Sequence, residues 1–175
     1  MKNLFAPWRS SYAKDVTETK KVSTSAEDCV FCQQFKESLD NPESAAKSFI
    51  LKRFEHTFVM LAKYPYNAGH LLILPIKHVP DLSDLSKDTL SELMQVTAKS
   101  SEILSKCLKN DGLNVGINIG KVSGAGIPSH LHVHALPRWE GDTNFMPLLA
   151  ETKVISFDLG QMYEKLKLEF ENISL

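Results

Sequence analysis

The sequence predicts one α+β domain, an antiparallel sheet of about five strands with a long helix on one face and a C-terminal helix. Three observations carry this. Three short strand-like runs, SFILKR, HTFVML and HLLILPI, come early and lie close together. One long amphipathic stretch follows over Lys87–Lys109, and two further strand-like runs, LNVGINI and SHLHVHALP, come after it. Strands grouped in this way, rather than alternating with helices, point to antiparallel pairing. At 175 residues and 43% hydrophobic content the chain is long enough to bury a sizeable core.

Residues 1–28 are polar and irregular and read as a loosely ordered arm, with Trp8 and Tyr12 as docking points on the body or a second subunit. Residues 29–175 form the domain proper. Cys29–Leu39 reads as a short helix ended by Asn41–Pro42, since the residue before proline is pushed out of the helical region. Strands are expected at Ser48–Arg53, His56–Leu61 and His70–Ile76, the last two separated by a connector rich in turn residues, LAKYPYNAGH. The long helix has Ser86 as its cap, Asp88 in its first turn and Asp111–Gly112 beyond its end. Its Leu90, Leu93, Met94, Thr97, Leu104, Cys107 and Leu108 recur at helical spacing and are expected to face the sheet. Strands Leu113–Ile119 and Ser129–Pro137 follow, joined by a glycine-containing loop. A last helix, Leu159–Phe170, carries Leu159, Met162, Tyr163, Leu166 and Phe170 on one stripe.

A formal net charge of -1 provides no electrostatic footprint for nucleic acid or an acidic membrane. No apolar run approaches the roughly 18 residues of a membrane span, and the first residues lack the apolar core of a signal peptide. A cytoplasmic address is the expectation. Cys29 and Cys32 form a CxxC, which in that setting favours a metal site over a disulfide, while Cys107 reads as an inert thiol in a helix.

The chemistry concentrates in Ser129–Trp139. His130, His132 and His134 alternate with Leu131 and Val133, so an extended chain turns three of the six histidines to one face and the aliphatic residues to the other. Imidazole suits nucleophilic, acid–base or metal work near neutral pH. The preceding loop, GINIGKVSGAGIPSH, sets Gly116, Gly120, Gly124 and Gly126 beside Ser123 and Ser129, and such loops let backbone N–H groups approach a phosphate. A metalloenzyme using all three histidines on one open site is the competing reading, and it leaves both the CxxC and the glycine loop without a purpose.

HLHVHAL matches the signature of the histidine-triad (HIT) superfamily, and the chain resembles that superfamily of nucleotidyl hydrolases and transferases. CVFC, NAGHLLILPIKHV and the Pro137–Pro147 stretch with GDTNFMP add to the likeness, the last being similar to the bacterial diadenosine-tetraphosphate (Ap4A) phosphorylase-like branch. The resemblance implies a HIT-like fold, a homodimer, and cleavage of a dinucleoside polyphosphate at the α-phosphate. It makes His132 the nucleophile that forms a nucleotidyl-histidine, and His134 a donor to the phosphate oxygens. Nucleotide and phosphate contacts fall on Asn118, Ser123, Gly124, Gly126, Ser129, Arg138 and Trp139. A structural zinc would be held by Cys29, Cys32, His78 and His130. The alternatives within the resemblance are a nucleoside phosphoramidate hydrolase and a low-turnover nucleotide-binding module. Ala62 departs from the pattern, standing where many relatives have an Asn or Asp that holds the ribose. His70 is expected to make a structural hydrogen bond, and His56 to be solvated.

Overall fold

The computed structural model describes residues 25–151 and 157–175, so Trp8 and Tyr12 of the arm lie outside the described residues. Five strands, β1 (Ile50–Arg53), β2 (Thr57–Leu61), β3 (Leu71–Pro75), β4 (Gly112–Ile117) and β5 (Val133–Arg138), form one sheet in the order β1-β2-β3-β5-β4. Every neighbouring pair is antiparallel. The HIT-like α+β expectation is met.

The runs TFVML and LLILP are apolar at nearly every position because β2 and β3 are buried on both faces. One face packs on the long helix α3 (Lys87–Leu108) and the last helix α5 (Leu159–Glu171) through Leu61, Ile73, Leu93, Leu104, Val133 and Leu166. The other face takes Phe58, Met60, Leu72 and Leu74 against Cys29 and Phe31 at the start of α1 (Val30–Asp40). Ala62 belongs to this second cluster, where it is buried and donates its N–H to the His70 carbonyl at 2.8 Å.

Several elements differ from the sequence expectation. Asn41–Pro42 ends α1 and also starts a second helix, α2 (Pro42–Lys47), because Asn41 accepts from the Glu43 amide at 2.8 Å and proline suits a first helical position. A short helix, α4 (Met146–Ala150), follows β5. On α3, Leu90 and Met94 are exposed, and the buried stripe runs instead through Thr89, Leu93, Val96, Thr97, Ser100, Ile103 and Leu104. Of the hydroxyl residues on that face, Thr97 is satisfied within the helix by donating to the Leu93 carbonyl at 2.7 Å, whereas the buried Ser100 hydroxyl has no partner among the described residues. Gly69 has φ +69°, and a Cβ there would run into the end of the Leu108 side chain, so the turn into β3 favours glycine.

The ladder of β5 starts later than expected. Only His134 of the three histidines lies in it, paired with Leu72 on β3 and Gly116 on β4. Continuing the β3 register from Ile73–Val133 would set Leu131 against Pro75, which has no N–H to give. The Leu131 amide donates to the Val79 carbonyl instead, at 2.7 Å. The alternation of faces survives this exit: Leu131, Val133 and Ala135 all lie in the helix-side core, and the histidines face the other way.

Candidate active site and metal centre

His130 and His132 are almost fully buried, at 1% and 4% exposure, and His134 is half-buried. The partners of each ring fix its protonation state. His132 Nδ1 lies 2.8 Å from the His130 carbonyl oxygen, which can only accept, so Nδ1 carries the proton and a neutral ring leaves Nε2 as a bare lone pair. Burial holds the His132 ring below its ordinary pKa, against the opposing pull of that carbonyl, and so keeps it neutral near pH 7.

His134 is set in the opposite tautomer by a relay. The Tyr66 amide donates to His70 Nδ1 at 3.1 Å, which makes Nδ1 an acceptor and leaves the proton on Nε2. That Nε2 lies 2.9 Å from His134 Nδ1 and donates to it. The His134 proton is therefore on Nε2, a buried N–H that has no partner among the described residues. Burial first, then the neighbouring imidazoles, pull His70 down to about 3 and His134 down to about 4, so the relay is neutral throughout the physiological range. Tyr66 lies over both rings, 4.7 Å from His70 and 5.7 Å from His134 between centroids. Thus a ring with a free lone pair and a ring with an unpartnered N–H stand side by side, centroids 4.8 Å apart. Such a pair can attack an electrophile and donate to the charge that develops on it.

Sequence reasoning missed part of this. His70 does make the expected hydrogen bond, but to a triad histidine 64 positions away. Tyr66 acts through its backbone amide, which no side-chain pattern reveals. His56 keeps its side chain 35% exposed, while its backbone amide donates to Glu92 Oε1 at 2.9 Å.

The predicted metal ligands converge. Nδ1 of His130 lies 3.4 Å from Cys29 Sγ, 3.5 Å from Cys32 Sγ and 3.4 Å from His78 Nδ1, and Cys32 Sγ lies 3.4 Å from His78 Nδ1. A tetrahedral zinc with ordinary bond lengths requires about 3.4 Å between two nitrogens and about 3.6 Å between nitrogen and sulfur. The four donors fit zinc. His130 Nε2 donates to the Pro75 carbonyl at 2.9 Å, which leaves Nδ1 bare and aimed at the other three. Without a cation, burial and then the adjacent Cys29 sulfur push the Cys32 thiol up to about 12. The three histidines therefore do not share one site: His130 turns to the cysteines, and His132 and His134 do not join it.

The nucleotide-site residues are more dispersed. Asn118 lies two positions beyond Gly116, the partner of His134, and just past the end of β4. Ser123 and Gly124 close an exposed turn in which the Ser123 hydroxyl donates to the Gly120 carbonyl at 2.7 Å. Gly126 is exposed and Ser129 half-buried in the segment leading to His130. Arg138 makes a two-pronged pair with Asp142, at 2.6 and 2.9 Å, and also reaches Asn114. Asp142 further accepts from the Trp139 amide and from Asn67, tying the turn after β5 to the loop before β3.

The HIT domain family model matches residues 43–141. An AP-4-A phosphorylase of Mycobacterium tuberculosis is 33% identical over 156 residues, covering 89% of this chain and 77% of that protein. A hypothetical histidine triad nucleotide-binding protein of Sulfolobus tokodaii superposes with a TM-score of 0.64 at 29% identity, over 82% of this chain and 93% of that one. A zinc-bound histidine triad family protein of Mycobacterium smegmatis shares the fold at a TM-score of 0.64 and 24% identity, over 84% of this chain and 96% of that one.

Proposed function

The chain belongs to the HIT domain family, and on that premise we propose that it is an enzyme that cleaves dinucleoside polyphosphates of the Ap4A type at the α-phosphate. The observation that carries the reading is the opposed tautomers of the two triad histidines. Nε2 of His132 attacks the α-phosphorus, the bond to the bridging oxygen breaks, and the remaining nucleotide leaves with those electrons. The result is a nucleotidyl-histidine. His134 Nε2–H, which has no partner among the described residues, bonds a phosphoryl oxygen as charge builds. Water or phosphate then attacks the same phosphorus and frees His132. Asn118, Ser123, Gly124, Gly126 and Ser129 would hold the phosphates, with Arg138 and Trp139 at the rim.

Cys29, Cys32, His78 and His130 would hold a structural zinc that fixes the start of α1 on the sheet. There it would supply the positive charge that keeps the two thiols ionised. A homodimer is part of the reading, supported by the sheet edge at β4, with Val115 on the strand and Ile119 just beyond it exposed. A cytoplasmic address accords with three free cysteines. Among the described residues no helix is long and apolar enough to cross a membrane.

Ala62 favours a second reading. Packed in the core rather than offering a side-chain hydrogen bond to a ribose, it leaves room for a nucleoside phosphoramidate hydrolase or a low-turnover nucleotide-binding module. Turnover of diadenosine tetraphosphate, set beside that of a nucleoside phosphoramidate, separates these. The main reading expects wild-type cleavage that His132→Ala abolishes with nucleotide binding intact. Binding without cleavage by the wild type would favour the module.

A further inference from the structure

We propose that Phe31 is a positioning residue that couples the four-ligand site to the orientation of the His132 imidazole. Phe31 lies between the two cysteines of CVFC and is 7% exposed. Its ring meets His130 edge-on, with centroids 5.7 Å apart and planes at 86°, and His132 at 5.4 Å and 61°. One side chain thus touches both a metal ligand and the nucleophile, and its own place is set by Cys29 and Cys32 on either side of it. His132 keeps one hydrogen bond, from Nδ1 to the His130 carbonyl. That bond holds the Nδ1–H form only while the ring stays seated on the carbonyl. Phe31 and His134, whose ring is 4.8 Å from that of His132, are aromatic neighbours that keep it there. Core packing against Phe58, Met60 and Leu72 seats the cysteine turn on the sheet. Its polar tie to the histidines runs through the two thiols: Cys29 caps α1 without a side-chain hydrogen bond, and the Cys29 and Cys32 sulfurs reach His130 and His78. Releasing a metal from the four donors would remove that tie and let Phe31 shift on the cluster and, through it, His132. The inference rests on the proposed metal site, and its effect on rate rests on His132 being the nucleophile.

The test uses the full chain loaded with zinc, wild type and Phe31→Leu, with Phe31→Tyr to restore the ring. Long-range proton–nitrogen NMR of the imidazoles reads the His132 tautomer directly, the signal being assigned by its loss in His132→Gln. The wild type is expected to show one Nδ1–H form. Phe31→Leu should retain one zinc per chain yet show His132 averaging between forms, with kcat down about tenfold, KM changed less than twofold, and the single form regained in Phe31→Tyr. Wild type stripped with a chelator should show the same averaging. An unchanged His132 signal in zinc-loaded Phe31→Leu overturns the coupling. Should that variant lose zinc or fold poorly, the stripped wild type decides, and an unchanged signal there overturns it equally. Because the NMR signal needs no substrate, it tests the coupling even if the chain proves not to cleave dinucleotides.

Discussion

His70→Phe removes the relay that sets the His134 tautomer while keeping a ring of similar size in a site that is 1% exposed. Two hydrogen bonds go: the one from the Tyr66 amide at 3.1 Å and the one to His134 Nδ1 at 2.9 Å. Both partners face a ring that is itself 1% exposed, and a buried group left unsatisfied costs about 1–3 kcal/mol. The variant should therefore be destabilised by about 1–3 kcal/mol in urea unfolding. The kinetic effect is separable from this. Losing a donor to the transition state outright costs about 10²–10³ in kcat. Losing only the control over which nitrogen bears the proton should cost less, about 10–100-fold, with KM changed little. His70→Gln offers an amide oxygen to Tyr66 and an amide N–H to His134, and should recover part of the loss. Steady-state kinetics on diadenosine tetraphosphate read all three. Full kcat in His70→Phe, or a loss confined to KM, would refute the relay.

Acid should destabilise the fold ahead of any carboxylate effect. His70 and His134 titrate near 3 and 4 in the folded chain but near 6.5 when unfolded, so the unfolded state binds more protons below pH 6.5. Stability is then complete above about pH 6.5 and falls by about 1.4 kcal/mol per pH unit per histidine down towards the folded values; thermal melts between pH 7 and 5 check it, and a flat profile would contradict the burial of neutral rings. Cys29→Ser should lower zinc content, measured by elemental analysis, and lower Tm more than it lowers kcat per folded molecule; unchanged metal content would remove Cys29 from the ligand set. Gly69→Ala forces a side chain into a left-handed turn and onto Leu108, and should cost about 2 kcal/mol or more in chemical denaturation.

Much of the fold could be read from local pattern, and the exceptions share a cause. TFVML, LLILP and the Ser86-capped helix announce themselves because burial on both faces or along one stripe demands apolar residues at fixed spacing. Leu90 and Met94 mislead because Thr89 and Ser100 fill the stripe in their place, their hydroxyls being invisible to a hydrophobic count. The late start of β5 depends on Pro75 of another strand, and α2 hides behind a dipeptide that both stops and starts helices. In the site, the CxxC and the triad histidines were legible as residue types. The Tyr66–His70–His134 relay was not, since it joins a backbone amide to two rings from separate segments.

As the proposed nucleophile, His132 becomes covalently nucleotidylated during turnover. Mass spectrometry of the intact chain after a rapid quench with diadenosine tetraphosphate tests it most directly, with His132→Ala as control. An added adenylyl mass, located on His132 and absent from the variant, is the predicted result. Product formed with no adduct in the wild type, together with turnover retained in His132→Ala, would contradict it.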